Sequence, residues 1–186
     1  MKWMRWWMVG AMCGLALCNG VNASTFSGRW LLVDTQAHEL SVMEGEEPIW
    51  TFNRIAIGRG GVTPSKLTRD HKTPLGEFHI TEIRKSGLFH VFMELSYPNT
   101  EHAKAARDAG HISEEEYWAI QRAAWSGLIP PQNTRLGGHI GIHGVGRGDL
   151  EIHQQFDWTQ GCIALTNQQI EQLQALIGTG ARVVIR

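Results

Sequence analysis

The chain has 186 residues, 42% of them apolar and 19% charged, with a formal net charge of −1. That length fits one globular domain with a short appendage, and the composition excludes a disordered tail protein. The near-neutral charge excludes the basic stripe of a nucleic-acid binder, and no interior run approaches the roughly 18 apolar residues of a membrane span.

In chain order, Lys2 and Arg5 precede an uncharged stretch over residues 6–18, and Val21-Asn22-Ala23 follows. A positive start, a short apolar run and modest side chains before Ala23 predict a signal peptide over 1–23, cleaved after Ala23, and export to the periplasm. Leu15-Ala16-Leu17-Cys18 is a competing, lipobox-like reading, weakened by the bulk of Leu17. Cleavage removes Cys13 and Cys18 and leaves Cys162 without a disulfide partner. An unpaired thiol in an oxidising compartment is either buried or used.

The pattern over 31–33 and 39–43 predicts a hairpin turning at 34–38, and near-alternation over 49–57 predicts a third strand. A polar loop spans 63–72, and Thr73-Pro74-Leu75-Gly76 reads as a turn. Strands follow over 77–84 and 88–95. The period then changes, and helices are expected over 100–109 and 113–125, with Ser113 and Glu116 as a capping box and Gly127 as the stop. Strand character returns over 136–143, broken by glycine. Thr166 and Gln169 form a second capping box before a helix over 167–177, and 183–185 closes as a strand. The expected fold is mainly β: a barrel-like β-sandwich of mixed strands, with a helical insertion (about 100–126) and a C-terminal-side helix (about 167–177). Strands and helices do not alternate regularly, which argues against a doubly wound sheet.

Seven glycines lie between Gly137 and Gly161, in the window that also holds His139, His143, His153 and, next to its end, Cys162. Glycine is needed where backbone approaches a ligand or takes positive φ. His143 ends an apolar strand, and Cys162 follows Gly161 at the entry to another. A thiol near its ordinary pKa is only a few per cent ionised at neutral pH, so a neighbouring imidazole that takes its proton makes it a nucleophile. The backbone N–H groups of Gly161 and Cys162 are candidate oxyanion donors. Two alternatives stand beside this reading. Cys162 is also a plausible inert core residue, and His139, His143 and Cys162 together are a possible zinc set, although C-x-x-C and H-E-x-x-H spacings are absent.

At these residues the sequence resembles the L,D-transpeptidase catalytic domain, or YkuD-like, family. The resemblance rests on Ile142-His143-Gly144 and on Thr159-Gln160-Gly161-Cys162-Ile163, preceded by Asp157-Trp158. Thr73-Pro74-Leu75-Gly76-Glu77-Phe78 and Tyr97-Pro98-Asn99 agree with it, and it covers residues 28–186. It implies a Cys162 nucleophile, His143 as general base and acid, and a Gly144 carbonyl that fixes the imidazole tautomer. The implied substrate is a peptidoglycan stem peptide. Cys162 would form a thioester with loss of D-alanine, and an amine of a second stem, or of an anchored lipoprotein, would accept the acyl group. No metal or organic cofactor is implied. His90, Tyr97, Trp158 and Thr159 are candidate substrate-binding residues. Gln160 and Ala164 depart from the family pattern, which has histidine in many members at the first position and Arg or Asn at the second. A Cys-His hydrolase (carboxypeptidase or amidase) on the same substrate is the first alternative. A wall-binding module without turnover is the second. Oligomeric state is not legible in the sequence.

Overall fold

The computed structural model describes residues 28–186, so the signal peptide expected over 1–23 lies outside the described residues. The fold begins with β1 (Arg29–Asp34) and β2 (Glu39–Glu44), an antiparallel hairpin that pairs Leu31 with Val42 and Val33 with Leu40. These four apolar side chains alternate along their strands, face the core and are fully buried. β3 (Glu47–Asn53) adds to β2 but stops four residues before the expected end. Arg54 has a φ of 60°, a left-handed conformation that an extended strand cannot contain.

The expected strands at 77–84 and 88–95 form the long pair β6 (Gly76–Ser86) and β7 (His90–Leu95). Before them, β4 (Val62–Thr63) and β5 (Thr73–Pro74) make a small parallel ladder that closes the polar loop at its base. The glycine-interrupted run condenses to β8 (Gly141–Gly144), because Gly137 and His139 both have positive φ and keep the preceding residues out of the ladder. β9 (Ile163–Leu165) and β10 (Arg182–Ile185) complete the strands.

The main sheet has eight strands in the order β3-β2-β1-β10-β6-β7-β8-β9, with β1/β10 and β8/β9 parallel. The expectation of a mainly β, mixed-strand fold holds, but the sheet is no closed barrel. Its two ends are brought together only by bridges. After β3 the chain returns so that Ala56 pairs with Ala164 and Gly58 with Thr159, along the outer side of β9. This places the residues next to the cysteine between two neighbouring segments.

The helical insertion is α1 (Thr100–Asp108), capped by the Asn99 side chain, and α2 (Glu114–Trp125), started by the Ser113–Glu116 capping box. They bury Ala103, Ala106 and Ile120. A short helix, α3 (Leu150–Gln155), occupies what reads as loop in the sequence; Asp149 caps it by accepting from the Glu151 and Ile152 N–H groups. α4 (Asn167–Gln174), with its Thr166–Gln169 capping box, packs Ile170 and Leu173 against the end of the sheet that carries β7, β8 and β9. Burying each such aliphatic side chain contributes about 1.5–3 kcal/mol.

Candidate active site

Strand register decides which side chains meet. Ile142 pairs with Ile163 and His143 with Ala164 across the parallel β8/β9 ladder. Paired residues share a sheet face, and so do residues two apart on one strand. Cys162 stands just before β9, two residues ahead of Ala164, so an extended continuation of that strand turns it to the face that carries His143. Ala164, paired with His143 across the ladder, is fully buried. Gly141 lies level with the cysteine. A Cβ there would stand 2.5 Å from the Met93 carbonyl oxygen and from the Phe92 ring, so only glycine fits.

His143 is 2% exposed. Its Nδ1–H donates to the Gly144 carbonyl at 2.8 Å, since a carbonyl only accepts, and this leaves the Nε2 lone pair free as a base. Burial, and secondarily the nearby His153, hold the imidazole down to a pKa of about 4, against the raising influence of the Gly144 bond. Three rings enclose it: Phe89 with centroids 4.1 Å apart, Phe92 stacked at 6.0 Å, and Trp158 edge-on at 5.8 Å. A Cβ on Gly144 would meet Asn167 Oδ1 at 2.7 Å and the Phe89 carbonyl at 2.9 Å.

Cys162 is half-buried and lines a cavity of about 610 Å³. Burial pushes its thiol up to about 11; a hydrogen bond from the Gly141 N–H and the charge of Lys66 oppose that rise, and Glu94 adds to it. The S–H points to the His139 carbonyl at 3.5 Å, not to the His143 ring. Both groups are therefore neutral near pH 7, a thiol and an unprotonated imidazole on one sheet face. Phe89 and Phe92 line the same cavity and also lie on His143.

The Gly161–Cys162 turn is held by Thr159. Its Oγ1 accepts from the Gly161 N–H at 3.1 Å and donates to the Cys162 carbonyl at 2.7 Å. This corrects the expected donor pair: the Gly161 N–H is already committed, while the Cys162 N–H has no protein acceptor among the described residues. Thr159 itself is buried and shapes the turn, and it does not face the cavity as a substrate-binding residue would. Gly161 has a φ of 130°, and a Cβ on it would stand 2.6 Å from the Lys72 carbonyl.

Three further substrate-binding expectations are corrected. Tyr97 is fully buried in the core and donates to the Leu136 carbonyl at 3.0 Å. His90 is turned by a φ of 68° toward α4, where its Nε2 sits 2.6 Å from Glu171 Oε1, and it does not line the cavity. Trp158 stands behind His143 and is not part of the cavity wall. The possible zinc set does not assemble: His139 lies outside β8 at a φ of 54° and turns its Nδ1 to Glu94 at 3.3 Å.

The cavity walls include residues the sequence did not single out. Lys66 is buried, with Nζ 2.7 Å from Asp70 Oδ1 and 3.4 Å from the Gln160 carbonyl. Asp70 also accepts from the Leu67 and Lys72 N–H groups. Burial alone would raise the Asp70 pKa, but Lys66 and these N–H donors hold it below the usual carboxylate range. Gln132 pins the opposite wall, accepting from the His139 N–H at 2.6 Å and donating to the Tyr97 carbonyl at 2.9 Å. Helices α1 and α2 contribute nothing to this lining; the segment that follows them does.

The L,D-transpeptidase catalytic domain model, YkuD, matches residues 28–185. The chain belongs to that family. No curated protein sequence matches it. Among solved structures, the YkuD domain described here is similar to the helical cell shape determining protein Pgp2 of Campylobacter jejuni, with a TM-score of 0.57 and 19% identity over 85% of this chain and 47% of that one. Bd1075 of Bdellovibrio bacteriovorus gives a TM-score of 0.53 and 21% identity over 89% and 50%. An Enterococcus faecium L,D-transpeptidase gives 0.50 and 11% over 87% and 50%. At these identities the likeness establishes the YkuD fold, and the chain spans about half the length of these proteins.

Proposed function

We propose that this YkuD domain is a cysteine-dependent acyltransferase of peptidoglycan stem peptides, an L,D-transpeptidase, working in the periplasm after removal of the leader. One observation carries the reading: a thiol open to a cavity shares its sheet face with a buried imidazole whose Nδ1–H is tied to a backbone carbonyl.

The steps follow from that geometry. The Cys162 side chain rotates its S–H from the His139 carbonyl toward His143 Nε2, which takes the proton as sulfur attacks the stem-peptide carbonyl. The oxyanion accepts from the free Cys162 N–H. The imidazolium returns the proton to the departing D-alanine nitrogen, leaving a thioester on Sγ. The amine of a second stem, or of an anchored lipoprotein, then attacks and loses its proton to His143. The Gly144 carbonyl keeps the ring in the required tautomer throughout.

The test is incubation with disaccharide-tetrapeptides, read by mass. A Cys162 thioester and a cross-linked dimer with loss of one D-alanine are expected, both absent in Cys162→Ala. A tripeptide product without dimer replaces transfer by hydrolysis. No adduct and no product from the folded wild type overturns the enzymatic reading.

A further inference from the structure

The polar loop between β4 and β5 packs against the cysteine turn. Its backbone is anchored at two places: the Thr68 N–H donates to the Arg135 carbonyl at 2.8 Å, and the His71 carbonyl accepts from the Gly60 N–H at 2.9 Å. Asp70 closes the loop from within, on the Leu67 and Lys72 N–H groups. From this frame Lys66 reaches inward. It is 4% exposed, and a lysine so buried needs partners for its ammonium. Asp70 Oδ1, at 2.7 Å, balances the charge, and the Gln160 carbonyl, at 3.4 Å, accepts a second N–H. The first partner belongs to the same loop. The second belongs to the turn that carries the nucleophile.

The Gln160 carbonyl shares one planar peptide with the Gly161 N–H, which donates to Thr159 Oγ1 at 3.1 Å. That peptide is therefore gripped at both ends, by Lys66 at its oxygen and by Thr159 at its nitrogen. Gly161 itself fixes nothing, because a glycine at a φ of 130° rotates more freely than any other residue. Its neighbours supply the constraint: a Cβ there would stand 3.1 Å from Lys66 Nζ and 2.6 Å from the Lys72 carbonyl. Past the glycine, Thr159 holds the Cys162 carbonyl at 2.7 Å. The Cys162 N–H lies between these held groups, and its direction follows from theirs. We propose that Lys66 is a positioning residue for acyl transfer, whose grip on the Gln160 carbonyl aims the Cys162 N–H at the oxyanion. It works through the backbone and not as a free charge, since Asp70 balances it. The inference rests on the Cys162 acyl-enzyme of the proposed function, but not on the identity of the acyl donor.

The test compares two reactions of the same sulfur in the full chain, each followed by the mass of the Cys162 peptide. Nitrophenyl acetate acylates it through a tetrahedral oxyanion, the sulfur bonding to the carbonyl carbon as nitrophenolate leaves. Iodoacetamide alkylates it by displacing iodide, with no oxyanion. The variant is Lys66→Met with Asp70→Asn, which removes both charges together and strands no buried ion. Its ratio of acylation to alkylation rate should fall at least about tenfold, with alkylation itself within about threefold of wild type. Lys66→Gln, whose amide ends one atom short of the ammonium, should lose the same ratio, and it carries the test if the double variant alkylates at the rate of the urea-unfolded chain. An unchanged ratio in the folded variant, or an equal fall of both rates, overturns the assignment. Neither reaction needs a stem peptide. A wild type that is acylated by nitrophenyl acetate but not by disaccharide-tetrapeptides overturns the proposed donor, and the ratio still decides the role of Lys66.

Discussion

The protonation states of the two central groups give a measurable signature. A thiol held near 11 is ionised to about one part in 10,000 at pH 7, whereas a free cysteine near 8.5 is about 3% thiolate. The deficit is on the order of 300-fold. A more basic thiolate is also the better nucleophile, and a Brønsted slope of about 0.4–0.5 over the same difference returns roughly tenfold. Alkylation of the folded protein by iodoacetamide at pH 7 should therefore run about 30-fold slower than that of the same cysteine in the urea-unfolded chain, followed by the mass of the Cys162 peptide. His143, held near 4, stays neutral above pH 6 and does not form a resting ion pair with the sulfur. The folded-state rate should rise about tenfold per pH unit from 6 to 10, with no step on the way. A plateau between pH 6 and 8 that disappears in His143→Ala would refute this reasoning, because it reveals a preformed thiolate–imidazolium pair.

Acid stability follows from the same burial. His143 and His102 are both pulled down to about 4 in the folded state, chiefly by desolvation, against an ordinary 6.5. The unfolded chain then binds more protons between those values, so stability falls as pH drops from 6.5 to 4, by up to about 3 kcal/mol per histidine; urea unfolding across that range should lose about half of the slope in His102→Phe. Gly144→Ala should destabilise by about 1–3 kcal/mol and depress turnover, because its new methyl meets Asn167 Oδ1 and the Phe89 carbonyl. Thr159→Val removes both Oγ1 bonds of the cysteine turn, and turnover should fall well beyond the cost in stability, about 1–3 kcal/mol by thermal unfolding. His90→Ala should leave turnover within about twofold, since that ring faces Glu171 on exposed surface; a tenfold loss would return His90 to the cleft.

The parts of this molecule that were legible in advance are those where a local rule and the tertiary structure agree. The β1–β2 hairpin alternates apolar residues on one face, and its observed register buries those residues. The two capping boxes start their helices where Ser113 and Thr166 stand. Two strand boundaries moved at residues in left-handed backbone: Arg54 ends β3 early, and Gly137 with His139 delays β8. Arg54 and His139 are not glycine, so their residue types did not announce these turns. α3 was hidden because six residues carry little periodicity, and its evidence in the sequence was one Asp149 cap.

The site divides along the same line. His143 and Cys162 were legible because glycines that tolerate no Cβ surround them: Gly141, Gly144 and Gly161 each lie against backbone or buried side chains. Lys66, Asp70 and Gln132 were not, since their roles depend on partners far along the chain, such as the Gln160 and Tyr97 carbonyls. Asp70 alone left a local trace, accepting from N–H groups at Leu67 and Lys72 in the manner of a side-chain-closed turn. Tyr97 shows the converse. The family resemblance suggested a cleft residue there, but its hydroxyl is spent on the Leu136 carbonyl, just before the strand-breaking Gly137. It fixes one wall of the thiol cavity from inside the core. Removing that hydroxyl in Tyr97→Phe should cost about 1–2 kcal/mol in thermal unfolding while the Cys162 alkylation profile keeps its slope. A changed slope at unchanged stability would mean that the phenol acts on the sulfur directly.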